Sequence, residues 1–220
     1  MTRSPRHWDA ILFDFDGVLA DTEPLHFACW KEILEPFGIH LNWPFYQKRC
    51  IGISDRQMVE ELASERVPPV PLHEILPAYH SKVGVFRSRI MASLPFLPET
   101  LNLVRMISND YGLGVVSSSG RSEVEPPIEL AGIRPCFQAI VCGREVQNLK
   151  PAPDPYLRGA ELLGASRPLV VEDSDAGVAS ARAAGFDVLR VSAADRVAEE
   201  VRKVLEGGPS VLRDDGAALG

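Results

Sequence analysis

Four groups of polar residues stand at the ends of short apolar runs or in a loop between them. They are Asp14 with Asp16, Ser117 with Ser118, Lys150, and Glu172 with Asp173. Carboxylates are costly in or beside a core unless paired or bound to metal, and several gathered at one rim would repel each other strongly. A hard divalent cation with oxygen ligands removes that conflict, and Mg2+ is the ordinary choice where phosphate is also handled. Asp14, Asp16, Glu172 and Asp173 are therefore the metal-ligand candidates. Lys150 and the hydroxyl of Ser117 are left a separate task, holding the oxygens of a phosphoryl group. Residues 117–120 precede an expected helix, so their backbone N–H groups also suit an anion. Ser117, Ser118 and Lys150 are the phosphate-binding candidates.

The spacing of the first pair separates two jobs. Gly17 lets the chain turn after the strand, so Asp14 can face metal and substrate while Asp16 points toward a leaving group. One is then a nucleophile and the other a proton donor. Each group alone has a plainer reading: a turn for Asp14 and Asp16, a helix cap for the serines and for Glu172-Asp173, and an exposed side chain for Lys150. Their occurrence in this order, each beside a correctly placed apolar run, favours a single site.

Building that site requires strands that bring distant residues to one edge. Short apolar runs at 10–15, 113–116, 137–142, 169–171 and 188–191 read as strands. Helical patterns fall at 22–37, 43–50, 55–66, 72–91, 99–110, 122–131, 154–163, 176–184 and 194–205. The alternation after residue 98 argues an α/β fold, a Rossmann-like parallel sheet flanked by helices, whose ligands bind at the carboxyl ends of the strands. Residues 22–93 show no convincing strand and are broken at Gly52 and at Pro68-Pro69-Val70-Pro71. They read as an inserted helical cap domain of four-helix type, with 1–21 and 94–220 as the catalytic core. The 17 Gly and 18 Pro argue against a simple helical bundle, and several (Gly17, Gly52, Gly120, Pro151, Pro153, Gly177) fall where elements end and the site would lie.

Composition narrows the partners. With 23 Lys+Arg against 30 Asp+Glu the formal charge is −7, which offers no broad footprint for nucleic acid or an anionic membrane. A locally positive pocket for a small anion is still allowed. No stretch approaches the roughly 18 apolar residues of a membrane span. The first residues do not read as a signal or transit peptide, because Asp9, Asp14 and Asp16 interrupt them. Cys29, Cys50, Cys136 and Cys142 form no CxxC pair and are too few for a disulfide scaffold, so the cytoplasm is the expected compartment. The expected partner is a small phosphorylated metabolite, bound by a monomer or homodimer.

The run Asp14-Phe15-Asp16-Gly17-Val18-Leu19-Ala20-Asp21-Thr22-Glu23 resembles the signature of the haloacid dehalogenase-like hydrolases. More narrowly it is similar to their phosphatase and beta-phosphoglucomutase branch, which carries a small helical cap after the first strand. The resemblance extends from Ile11 to about Val191. It implies Asp14 as nucleophile, Asp16 as general acid/base, and Ser117 and Lys150 as phosphoryl ligands. It further implies a Mg2+ held by Glu172 and Asp173 with the Asp14 carboxylate and the backbone carbonyl of Asp16. The implied reaction forms an aspartyl-phosphate on Asp14 from a phosphomonoester. Asp16 protonates the departing alcohol and then activates water.

Within the cap, His26, Arg49, Ser54, Asp55 and Arg56 are the substrate-specificity candidates, with Arg121 of the core as another. His26 and Trp30 share a helix face, four residues apart, where packing between cap helices is the competing reading. Sugar-phosphate mutases of this branch carry an arginine after Gly52-Ile53-Ser54 to grip a second phosphate. Here the position is Asp55, and Ile51 stands where those mutases have a lysine. This favours hydrolysis over return of the phosphoryl group to a sugar, with Arg49 or Arg56 as possible substitutes for the missing arginine. A third reading is a phosphoacceptor or interaction module without turnover. Asp16 and the large insert speak against it.

Overall fold

The computed structural model describes residues 7–51, 55–143 and 145–207. Along the chain, strand β1 (Ala10–Phe13) leads into four helices, α1 (Glu23–Leu34), α2 (Trp43–Arg49), α3 (Asp55–Glu65) and α4 (Leu72–Ala92). There follow α5 (Pro98–Ile107), β2 (Gly112–Val116), α6 (Arg121–Leu130), β3 (Ala139–Val141) and α7 (Asp154–Leu163). The chain continues through β4 (Pro168–Glu172), α8 (Asp175–Ala183), β5 (Asp187–Arg190) and α9 (Val197–Leu205). It divides into two compact units, Met1–Asp21 with Phe96–Gly220 and, separately, Thr22–Pro95.

In the first unit all five strands are parallel, in the order β3-β2-β1-β4-β5, as a Rossmann-like fold requires. β1 is central and every one of its residues is buried, because a parallel strand with helices on both faces has no wet side. Its Leu12 packs with Val116, Val141 and Val170 against Tyr156 and Ala160 of α7 and Val178 and Ala181 of α8. Ile11 and Phe13 point to the other face and are equally buried. β1 ends at Phe13, two residues earlier than its apolar run suggests, because the chain turns at once into residues 15–20. The run at 137–142 yields only Ala139–Val141, since Arg134–Cys136 form a 3-10 turn ahead of it.

The second unit is built around Trp30, Leu34, Tyr46, Met58, Leu62 and Ile75. The helix expected over 22–37 stops at Leu34, and residues 35–37 form a separate 3-10 turn around Pro36, whose nitrogen cannot continue the ladder. Gly38 then closes it in the left-handed region at φ 67°. Along α4, Ile75, Ala78, Lys82, Phe86 and Ile90 form the buried stripe. Lys82 is 1% exposed. Its ammonium lies 2.6 Å from Asp55 Oδ2, while Trp30 Nε1 donates to Asp55 Oδ1 at 2.9 Å.

Candidate active site

Register alone brings three of the groups to one rim. Phe13 pairs with Val115 on one side and Val171 on the other. The next residue of each strand, or the one after, leaves the sheet at the same level. Asp14 N donates to Val171 O at 3.0 Å, and Ser117 N to Val141 O at 3.0 Å. Asp14, Ser117 and Glu172 therefore stand side by side at the carboxyl end of the sheet.

Beyond Asp14 the chain folds back on itself, with Ala20 N donating to Phe15 O at 3.0 Å and Gly17 N to Ala20 O at 2.9 Å. Gly17 sits at φ 77°, a backbone region that disfavours side chains. A Cβ there would also overlap the carboxylate of Asp173. Asp16 Oδ2 accepts from Ser119 Oγ at 2.8 Å and lies 3.4 Å from Ser117 Oγ, which itself accepts from Ser119 N at 3.0 Å. Ser117 is buried and Ser118 is exposed. The second serine brought toward Asp16 is thus Ser119, which the sequence reading passed over. Two-residue spacing in extended chain puts 117 and 119 on one side, and that signal was available.

Lys150 is the cation that the described residues place among these acids. Its ammonium donates to Asp14 Oδ1 at 2.9 Å, Glu172 Oε1 at 2.6 Å and Val116 O at 3.0 Å, using all three protons. Glu172 is fully buried and accepts five hydrogen bonds. Lys150 and the Tyr156 hydroxyl (2.8 Å) reach Oε1, and Asp173 N, Ser174 N and Ser174 Oγ reach Oε2 at 2.9 to 3.1 Å. Ser174 also caps α8 by accepting from Gly177 N at 3.0 Å.

The electrostatics follow from burial set against one cation. Burial alone would raise the carboxyl of Glu172, but the Lys150 charge and the surrounding donors outweigh it and hold the group below the usual range. Burial would likewise lower Lys150, yet the charges of Asp14 and Glu172 prevail and hold it protonated. Asp14 is pushed well up, by burial first and then by Glu172, Asp173 and Asp16, with Lys150 opposing. One ammonium does not offset four carboxylates.

Ligand oxygens of Asp14, Glu172 and Asp173 lie within 4.8 Å of one another. An all-oxygen donor set with surplus negative charge fits a hard divalent cation such as Mg2+. Asp14 and Asp173 are the better placed of the three, because both oxygens of Glu172 are already engaged by protein donors.

Gly177 is where the fold yields to this network, since a Cβ on it would fall inside the Glu172 carboxylate. Gly177→Ala is expected to cost about 2–3 kcal/mol through overpacking, measured as a lowered urea midpoint. Gly84→Ala on α4, where a Cβ meets nothing within 4 Å, is the control and should hold or gain stability.

The remaining specificity candidates are engaged locally. The guanidinium of Arg121 is taken up by Glu145, Glu125 and the carbonyl of Ile140, pinning α6 to β3. In the helical unit Arg49 pairs with Glu65 at 2.7 Å and Arg56 with Glu60 at 2.8 Å. His26 is buried with its ring stacked on Phe86 at 4.1 Å, and Asp55 is held by Trp30 and Lys82. Ser54 lies outside the described residues.

A parallel sheet in this order, with acids and a buried lysine at its carboxyl rim, defines a class that the comparisons identify. Residues 11–191 match the family described as haloacid dehalogenase-like hydrolase, and the chain belongs to that family. It is 30% identical over 190 residues to fructose-1-phosphate phosphatase YqaB of Escherichia coli, spanning 82% of this chain and 95% of that one. It is 27% identical over 210 residues to the phosphorylated carbohydrates phosphatase of Thermotoga maritima, spanning 93% of each. Among solved structures, beta-phosphoglucomutase from Clostridium difficile matches with a TM-score of 0.74 and 22% identity over 90% of this chain and 97% of that one. At that identity the likeness concerns the fold.

Proposed function

We propose that the chain is a Mg2+-dependent phosphomonoester hydrolase of small phosphorylated metabolites, sugar phosphates foremost, working through an aspartyl-phosphate on Asp14. The observation that carries this reading is the buried Lys150, bonded at once to Asp14 and Glu172 at the rim. It leaves a carboxylate nucleophile beside a fixed positive charge. The phosphatases among the relatives support the substrate class.

In this reading the Asp14 carboxylate attacks phosphorus in line with the departing alcohol. As charge builds on the non-reacting oxygens, Lys150 supplies a fixed positive charge beside them and the Ser117 hydroxyl a donor. Asp16, oriented by Ser119, gives its proton to the alcohol oxygen, then as a carboxylate takes one from the water that cleaves the acyl phosphate. Asp14 and Asp173 would hold the Mg2+, with Glu172 beside them. When bound, the ion supplies the positive charge that keeps Asp14 ionised and helps neutralise the phosphoryl oxygens.

Phosphoryl return to a sugar is the competing reading, since a beta-phosphoglucomutase is also among the relatives in sequence. Asp55 speaks against it, because a carboxylate is no ligand for a second phosphate. The test is a panel of sugar, nucleotide and short-acid phosphates assayed for released inorganic phosphate. At least one sugar phosphate should turn over, and EDTA should lower its rate at least about 100-fold, Mg2+ restoring it. No release from any compound, together with conversion of a hexose 1-phosphate when a bisphosphate activator is present, would establish the mutase instead.

A further inference from the structure

We infer that Tyr156 is a positioning residue of this reaction: its buried hydroxyl fixes Glu172 and, through Glu172, the ammonium of Lys150. The inference rests on the hydrolase reading above. Tyr156 lies on α7, six residues beyond Lys150, and is fully buried. Its ring belongs to the core under the sheet with Leu12, Val116, Val141 and Val170. Its hydroxyl leaves that core and donates to Glu172 Oε1 at 2.8 Å, the same oxygen that accepts from Lys150 at 2.6 Å. The Lys150 ammonium also lies 5.0 Å from the centre of the Tyr156 ring.

Tyr156 thus meets Lys150 twice, by its π face and through the shared carboxylate oxygen. It touches no reacting atom, which separates it from Asp14, Asp16 and Lys150.

The division of Glu172 explains why the hydroxyl matters. Oε2 is tied to the loop by Asp173 N, Ser174 N and Ser174 Oγ. Among the described residues, Lys150 and Tyr156 are the donors that hold Oε1. A lysine has a long, flexible stem and an ammonium that any nearby anion can pull. With the tyrosine donor gone, Oε1 makes a stronger claim on Lys150 and draws it from Asp14 and the phosphoryl oxygens. A tyrosine present only for packing makes the opposite prediction, since phenylalanine fills the same volume and removes a buried polar atom.

The experiment uses the full chain with Mg2+, p-nitrophenyl phosphate and the best sugar phosphate from the panel. Tyr156→Phe is expected to lower kcat about tenfold. In a Glu172→Gln background the same change should have less than about a twofold effect, because the path through the carboxylate is already broken. Equal losses in both backgrounds, or a Tyr156→Phe kcat within twofold of wild type, would overturn the inference while leaving the hydrolase reading intact. Wild type inert toward every phosphate would instead overturn that reading, and with it the role of Tyr156 in turnover.

Should the variants fold poorly, NMR of the wild type decides. A slowly exchanging tyrosine hydroxyl proton and a protected Lys150 ammonium, coupled by a through-space contact, are expected. Absence of the protected hydroxyl sinks the inference whatever the variants do.

Discussion

Asp14→Asn loses at least about 10,000-fold in kcat for phosphate release, the scale on which removal of an enzyme's covalent nucleophile is felt. The amide has nearly the shape of the carboxylate and can still accept from Lys150, so positioning survives while nucleophilicity does not. Stability should move the other way. Asp14 is buried among Glu172, Asp173 and Asp16, and its charge is opposed by desolvation and by all three. A neutral side chain relieves that conflict, so the variant should melt at or above the wild-type temperature when Mg2+ is absent. Loss of activity with unchanged or raised stability is the pattern of a site strained for its chemistry. More than about 1% residual kcat would rule out Asp14 as the nucleophile.

Asp55→Ala in the helical unit is expected to cost about 3 kcal/mol in a denaturant titration, the low end for breaking a buried pair because the Asp55 carboxylate is one-third exposed. The ammonium of Lys82 is buried between the Phe86 ring, 4.6 Å away, and the Trp30 ring at 5.7 Å. Removing the carboxylate takes away a charge that offsets it at 2.6 Å and the acceptor that Trp30 uses. The double variant Asp55→Ala with Lys82→Met should recover most of the loss, because a methionine of similar length packs on the same two rings without a charge to compensate. A single variant within 1 kcal/mol of wild type would mean that groups other than Asp55 suffice to compensate Lys82.

The sheet was legible because its strands fall on short apolar runs, three of which lead directly to Asp14, Ser117 and Glu172, and the parallel direction follows from the helices placed between them. Asp14 and Glu172 could be named for the same reason, and Lys150 as the loop lysine ahead of Pro151. What escaped the sequence reading depends on contacts between residues far apart in the chain. Nothing near Glu172 says that five donors converge on it, or that Tyr156 is one of them. Arg121 looked available to a substrate because Glu145, its partner, lies 24 residues away. Lys82 was hidden differently: the spacing of Ile75, Ala78, Phe86 and Ile90 places it on the apolar stripe of α4, but a lysine is discounted as core by default. The partly exposed acid that keeps it there, Asp55, was noticed only for what it could not bind.

The place of β1 in the sheet also bears on how the protein is made. Among the strands of the described residues, the first to leave the ribosome is the central one, and its two neighbours begin at Gly112 and Pro168. At the usual 5–20 residues per second, roughly 8–30 s separate synthesis of β1 from that of β4. Through that interval a strand with no polar face has no complete pair of partners. The helical unit between β1 and β2 closes on contacts within Thr22–Pro95 and can fold meanwhile. The rim cannot assemble before Glu172 is made, and the nascent chain depends on whatever shields Ile11, Leu12 and Phe13 until translation has passed residue 172.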